Sequence, residues 1–405
     1  MTPLLMLAVR NVARSKARSA LTTGAVTFGI LMTLLIGAFI HGTQRYLIDE
    51  TVKSSVGALQ VHHKGYFEQR DRQPLKLDLE EGGALEDAMR RVPGVAAVTP
   101  RLVFSGLVSN GSSATLFMAQ GIDPEREKQV LPWATQQVRG TRLSADTPRS
   151  ALMGGELATA LGAEPGATLT LQATTKGGKE NVLDVDVAGT LSGSVLALSK
   201  RVLYVPLPFA QELLRMRGRA TEYVVAVEEG ADVDQVAVGL RAALGADYEV
   251  RTWRELQPAV GEAIRIQRTI LLFIGALFLL IAIFGVANTL LMSVLERTRE
   301  IGTMMAVGVR RGRIALLFVL EAVVQALFGA ALGVGGAYGL VALAVTRGGF
   351  TIPTDKTQAF TLIPEVAGYQ VAIAVAAATV GACLAAVSPA LRAARLRPVE
   401  ALRGA

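Results

Sequence analysis

Four stretches of the chain carry almost no charge. Residues 19–40 have none over 22 positions, 269–295 none over 27, 314–346 only Glu321 over 33, and 366–391 none over 26. A helix needs about 20 apolar residues to cross the hydrocarbon core of a bilayer, so each run suffices. Helices in soluble cores rarely stay uncharged for so long. The third run would be about 50 Å long as a straight helix, which predicts a kink, a tilt or an extension into water.

Between the first two runs the pattern changes. Strand-like stretches at 58–62, 95–108, 114–121, 168–173, 182–190, 201–205 and 223–227 alternate with amphipathic helical ones at 85–92, 156–161, 208–216 and 233–244. Pro93 and Gly94 stop a helix and β-branched residues follow, so 92–102 predicts a helix exit into a strand. Residues 162–189 predict a separate β-rich lobe, with TTKGGKEN (174–181) as its exposed hairpin tip. At the N-terminus Leu4, Leu5, Ala8, Val9 and Val12 form a helical stripe, with Arg10, Arg14 and Lys16 largely off it. This predicts an amphipathic basic helix lying in the membrane interface.

Composition agrees with membrane spans: 51% of residues are hydrophobic and the mean hydropathy is +0.40. The net charge of +7 suggests nucleic acid only until it is located. Residues 44–262 carry 24 Lys and Arg against 28 Asp and Glu, while the remainder carries 17 against 6. The excess sits beside the apolar runs: Arg10, Arg14, Lys16 and Arg18 before the first, Arg297, Arg299, Arg310, Arg311 and Arg313 between the second and third, and Arg392, Arg395, Arg397 and Arg403 after the fourth. The loop between the third and fourth has only Arg347 and Lys356. Positive loops stay in the cytoplasm, which puts both termini and 296–313 inside and 44–262 outside. The first run is long and shows no small-x-small cleavage site, so it predicts a retained anchor.

Chemistry of its own is hard to find in this chain. No G-x-x-x-x-G-K-[ST] occurs, and GGKE at 177–180 lacks the spacing and the hydroxyl. His62 and His63 are adjacent and would face opposite sides of a strand, and only His41 is left besides, so no metal site is expected. The single cysteine permits no intrachain disulfide. Asn110-Gly-Ser is a formal glycosylation sequon in a Gly/Ser turn and is read as a hairpin. No Ser-His-Asp or paired-carboxylate set stands out, so no catalytic residue is assigned.

The stretch ERTREIGTMMAVGVRRGRI (296–314) carries more than topology requires. Ile301, Met304, Met305 and Gly308 fall at i, i+3, i+4, i+7 and make one apolar stripe, beside Glu296, Arg299 and Glu300. Methionines give such a stripe an adaptable surface. A short helix of this kind can seat in the groove of a cytoplasmic partner. Within the spans, GAALG (329–333) and GGAYG (335–339) permit close helix contact, more within the chain than as a dimer seam. Glu321 and Gln325 stand at i, i+4 in the third run, and Glu321 is expected near the cytoplasmic end, paired with a nearby arginine. Asn288 predicts an interhelical hydrogen bond.

The 296–308 stretch resembles the E-R-x-x-E-I-G-x-x-x-A-x-G coupling motif of FtsX/MacB-type permeases, the type VII ABC transporters. SPALRAARLRPVEALRG (388–404) is similar to that family's C-terminal signature, and LAVRNVARSKARSALTT (7–23) to its entry. Residues 41–68 resemble the segment leaving the first span in the lipoprotein-releasing permeases LolC and LolE. The resemblance implies an α-helical membrane protein with four transmembrane helices and a large extracytoplasmic mixed α/β domain between the first and second. Its divisions would be an interfacial helix 1–18, spans 19–43, 263–295, 314–346 and 366–391, a periplasmic domain 44–262 with the β-rich lobe near 150–200, a coupling helix 296–313, a short loop 347–365 and a cytoplasmic tail 392–405.

It further implies a permease subunit of the bacterial inner membrane with no ATPase domain fused to it. ATP and Mg would be bound by a partner, a cytoplasmic ABC ATPase dimer, and a second permease, identical or homologous, would pair with this one. Glu296, Arg299, Glu300, Ile301, Gly302, Met304, Met305, Ala306 and Gly308 would dock the ATPase. Lipoproteins would be extracted from the outer leaflet into a cavity lined by Phe28, Met32, Leu35 and Phe39, with Phe273, Leu277 and Leu280 opposite, and passed to a periplasmic carrier. MacB-like tripartite efflux and an FtsX-like relay to a cell-wall hydrolase are the other readings the resemblance allows.

Overall fold

The structure, a computed structural model, describes residues 2–14, 16–54, 56–69, 75–131, 137–192, 201–355 and 358–395. The chain divides into two compact units. One takes in the chain up to Arg45, Ala263–Ile352 and Thr361 onward, and the other Tyr46–Glu262 with Pro353–Phe360. The C-terminal signature beyond Arg395 lies outside the described residues, as do Arg397 and Arg403.

The first unit is helical. An N-terminal helix runs Thr2–Arg14, and four helices are long and apolar enough to cross a membrane: Lys16–Ser54, Pro258–Glu296, Arg311–Thr346 and Gly368–Arg395. Below they are the N-terminal helix and the first to fourth span helices. The first two are 39 residues each, about 58 Å, so both continue well past their apolar runs. The third is one unbroken helix of 36 residues, about 54 Å; its excess length is extension, with no break. Pro389 lies inside the fourth near its end.

Small residues set how closely these helices approach. A Cβ on Gly333 would stand 2.9 Å from the Thr27 carbonyl, and one on Gly329 would stand 2.9 Å from Val26 Cβ. The first and third spans thus touch backbone to backbone, and Thr27 Oγ1 donates to the Gly329 carbonyl at 3.1 Å. GAALG is therefore intrachain packing. Of the glycines in GGAYG, Gly336 meets Leu31 at 3.3 Å while Gly335 and Gly339 face open space, and Ala337 is buried in the bundle core. Gly381 of the fourth span lies against Leu279 and Ile283 of the second.

The second unit is α/β. Its strands are β1 (Leu59–His63), β2 (Leu79–Glu80), β3 (Val95–Ser109), β4 (Ala114–Ile122), β5 (Gln137–Gly140), β6 (Ser150–Gly154), β7 (Thr168–Thr174), β8 (Glu180–Ser192), β9 (Val202–Pro206), β10 (Arg219–Ala220), β11 (Glu222–Val227) and β12 (Tyr248–Thr252). Ten of them form one sheet in the order β12-β1-β11-β3-β4-β9-β6-β8-β5, with β7 bridging β3 and β8. The β4–β9 and β6–β8 pairs are parallel. The 15-residue β3 pairs along its first half with β11 and along its second with β4 and β7.

The β-rich lobe is therefore not separate. It has its own core, in which Leu102, Phe104, Phe117, Leu171, Val185 and Phe209 pack together, but it shares β3 with the rest of the sheet. Leu59, Val61, Met89, Val98, Tyr223 and Leu240 form a second core on the β1/β11/β12 side. The 174–181 stretch is the β7–β8 turn, and its Lys176 reaches back to Asp78. The Asn110 sequon is the β3–β4 turn: Asn110 Oδ1 accepts from Ser112 N at 2.9 Å and Ser113 N at 2.7 Å. His62 is buried, bonded to Gln60 and stacked on Tyr66, while His63 is half-exposed on the other side. No metal-holding group of His, Cys, Asp or Glu occurs among the described residues.

Candidate functional site

The second span helix ends at Glu296, and Arg297 steps out of helical geometry (φ −101°, ψ 15°). Thr298 Oγ1 caps the end, donating to the Val294 and Leu295 carbonyls at 3.0 and 2.8 Å. A short helix, Thr298–Ala306, follows. Its stop is a left-handed turn at Gly308 (φ 95°): Gly308 N bonds the Met305 carbonyl and Val309 N the Met304 carbonyl, both at 3.0 Å. This is the glycine-terminated helix end in which a following apolar residue, here Val309, tucks back against the helix. Gly308 is a stop signal and no part of an apolar stripe. Arg310 is extended and leads into the third span at Arg311.

The short helix turns its apolar stripe inward. Ile301 is 1% exposed and packs with Val294, Ile314 and Phe318, with Met304 and Met305 laid against the same core. Gly302 is buried as well. The stripe that the sequence offers to a partner is thus spent on the bundle, because the 296–314 turn closes that side on the second and third spans. What faces outward is Arg299, Thr303, Ala306, Val307, Gly308 and Arg310, with Val307 86% exposed. Glu296 and Glu300 are exposed too, and both are engaged within the chain.

A polar chain runs behind the helix. Glu321, on the third span, accepts from Arg297 Nη1 at 3.2 Å and from Asn11 Nδ2 at 2.5 Å. Arg297 Nε turns back to Glu300 Oε2 at 2.9 Å, and Glu300 Oε1 stands 3.6 Å from Arg14 Nη1. The N-terminal helix is thereby held at two points one turn apart. Its stripe divides to suit: Ala8 is fully buried, and this helix packs on the third span, while Leu5, Met6 and Val9 are exposed. The pairing of Glu321 with an arginine is legible in the sequence, but the parts of Asn11 and Arg14 are not. Their only signal is an asparagine breaking the apolar face between Ala8 and Val12.

The cavity residues are not brought together. Phe28 meets Phe278 edge to face at 5.9 Å, and Phe39 meets Phe350 at 6.5 Å. Met32 and Leu35 are half-buried between them. Phe273, Leu277 and Leu280 share the opposite side of the second span from Phe278 and point away, all more than half exposed. They form open apolar surface, as a lipid-facing helix side does.

Two family models match the chain. Residues 19–243 match the MacB-like periplasmic core domain, and residues 272–398 match the FtsX-like permease C-terminal domain. A macrolide export ATP-binding/permease protein MacB of Shewanella oneidensis is 26% identical over 98% of this chain and 60% of its own length. The uncharacterized ABC transporter permease YknZ of Bacillus subtilis is 34% identical over 38% of this chain and 36% of its own. The pyoverdine export ATP-binding/permease protein PvdT of Pseudomonas syringae is 36% identical over 49% and 29%. The chain thus spans less than two thirds of each of these relatives. Among solved structures, the periplasmic region of MacB from Actinobacillus actinomycetemcomitans covers 52% of this chain and 94% of its own, at 13% identity and a TM-score of 0.38.

Proposed function

The chain belongs to the FtsX/MacB-type ABC transporter permeases, and from that premise we propose that it is the membrane subunit through which a separate ATPase drives export of a substrate held on the far side of the membrane. The observation that carries this reading is the short helix Thr298–Ala306. Its inner face is fixed to the bundle, and its outer face offers Arg299, Thr303, Ala306, Val307 and Arg310 with no covering element among the described residues. A helix so held transmits a push, whereas a loose loop would absorb it.

The docking face therefore differs from the sequence stripe. Val307 and Ala306 supply an apolar centre, and Arg299 and Arg310 a charged rim, the arrangement of a small protein contact. Ile301, Met304 and Met305 hold the helix in place from behind. The partner would bind ATP and Mg, and this chain would supply no group to that chemistry. The excess of arginine at this end supports a cytoplasmic position for it and for both termini, at the inner membrane, with the α/β unit outside. A second permease, identical or homologous, would complete the assembly.

For the cargo, export in the manner of MacB ranks first, because a MacB protein aligns over nearly the whole chain. Lipoprotein extraction rests on the 41–68 likeness alone, and the relay to a hydrolase has no residue of its own. The test is to purify the tagged chain from its native membrane in mild detergent and identify its companions by mass spectrometry. An ATPase with a periplasmic adaptor supports export. An ATPase with acylated lipoproteins moves the assignment to extraction, and absence of any ATPase overturns the reading.

A further inference from the structure

Glu321 lies ten residues inside the third span helix, about 15 Å along its axis from the first residue, Arg311. It is 4% exposed. A carboxylate at such a depth is costly unless paired, and such residues are kept where they serve a purpose. Its partners come from two other elements, Asn11 of the N-terminal helix and Arg297 at the joint between the second span and the short helix.

That joint matters because the backbone on both sides of the short helix is not helical. On one side Arg297 departs from helical dihedrals, while its N still bonds the Ser293 carbonyl at 3.2 Å and its carbonyl accepts from Ile301 N at 2.9 Å. On the other, Gly308 is left-handed and Arg310 is extended. Backbone bonds therefore tie the short helix to the second span, and none among the described residues ties it to the middle of the third. The guanidinium of Arg297 supplies that tie, since it bonds the short helix through Glu300 and the third span through Glu321 at once.

Resting on the docking reading above, we propose that Glu321 is a positioning residue that joins the short helix, the third span and the N-terminal helix into one moving body. A push on Val307 and its neighbours then reaches the third span sideways through Arg297–Glu321, and the N-terminal helix moves with it through Asn11 and Arg14. Without the clasp the short helix still docks, held by Ile301, Met304 and Met305, but loses its polar tie to the third span.

The test uses the full chain purified with its ATPase from the native membrane, followed by hydrogen exchange with and without ATP. In the wild type, ATP changes exchange in 298–306 and in 311–325 together. In Glu321→Gln, the complex still forms and 298–306 still responds, but the response of 311–325 is lost. Were that variant to fail to assemble, Arg297→Glu combined with Glu321→Arg keeps a buried pair and restores both responses. A purely structural role would lower stability in both segments without separating them. Glu321→Gln with both responses as in the wild type overturns the proposal, as does a reversed pair that assembles but leaves 311–325 silent. A wild-type preparation lacking any ATPase overturns the docking reading itself, a result visible before any variant is made.

Discussion

Arg101 in the α/β unit and Arg297 in the helical unit both hold buried carboxylates, but they are built into different settings. Arg101 sits in mid-strand on β3, 1% exposed, with its Nε 2.9 Å from Glu127 and its Nη1 3.8 Å from Glu222. Glu127 is on the helix Pro124–Val130, which is started by Asp123 accepting from Glu125 N and Arg126 N, and Glu222 is on β11. Strand, helix and neighbouring strand are each fixed by other bonds, so this cluster joins parts that cannot move separately. Burial acts against the Arg101 charge, yet Glu127 and Glu222 outweigh it and hold its pKa above the ordinary value. Arg297, by contrast, stands at the kink between two helices, and its partners lie on two separate helices, Glu300 on the short one and Glu321 on the third span. The same chemistry locks one sheet and its helix in one place and joins three separate helices in the other.

The largest effect is expected at Arg101. Arg101→Met leaves Glu127 and Glu222 buried without their cation and should destabilise the α/β unit by about 3–5 kcal/mol. Both tryptophans of the chain, Trp133 and Trp253, fall within 46–262 in sequence, and Trp253 is buried in that unit, so thermal melting followed by tryptophan fluorescence reads it. Adding Glu127→Gln and Glu222→Gln should recover much of the loss, and an unshifted melt for Arg101→Met would contradict the account.

Glu321→Gln should cost less, about 1–3 kcal/mol, because Asn11 can still bond the amide and Arg297 keeps Glu300. The tryptophan melt should not move at all, and the cost should show only in the helical unit.

Acid should separate the two units further. Burial pushes the carboxyls of Asp78 and Glu86 upward, but Arg219 and Lys176 at the first, and Arg126 and Arg90 at the second, outweigh it and hold both below the usual carboxylate range. A carboxyl lowered in the folded state adds stability that is fully present above its unfolded value, about 4, and is lost as the pH falls through the folded value. The tryptophan melting temperature should therefore be flat between pH 7 and 5 and fall below about pH 4. A melt that rose on acidification would contradict this.

The smallest effect is expected at Gly308→Ala. The left-handed turn strains any side chain by about 1 kcal/mol, and nothing stands within 4 Å of the added methyl. Hydrogen exchange should quicken in 298–306 alone.

Much of this architecture is legible in the sequence because its signals are local. Uncharged runs mark four helices, and Pro93-Gly94 marks the turn into β3 at Val95. Gly-Ser and Gly-Gly pairs mark the hairpins at 110 and 177. Short or fully buried strands are missed: SALMG of β6 is buried at every position and does not alternate, and YEVRT of β12 is a short, charged edge. The unity of the sheet is missed too, because β3 pairing with both β11 and β7 is a long-range fact. At the site, the period of Ile301, Met304 and Met305 correctly marks a helix with one buried face. Period alone does not say which body buries it, and here the chain's own spans do so. Asn11 meets Glu321 across 310 positions of sequence, which no local pattern records.

The central claim is that a partner ATPase docks on the outward side of the short helix. It is tested most directly by capturing the ATPase on the tagged, membrane-extracted chain and comparing Val307→Asp with the wild type. Val307 touches nothing that holds the fold, so the account predicts an unchanged tryptophan melt and an ATPase yield reduced by about tenfold or more, the effect of burying an unpaired charge in a contact. Wild-type yield for Val307→Asp would contradict it.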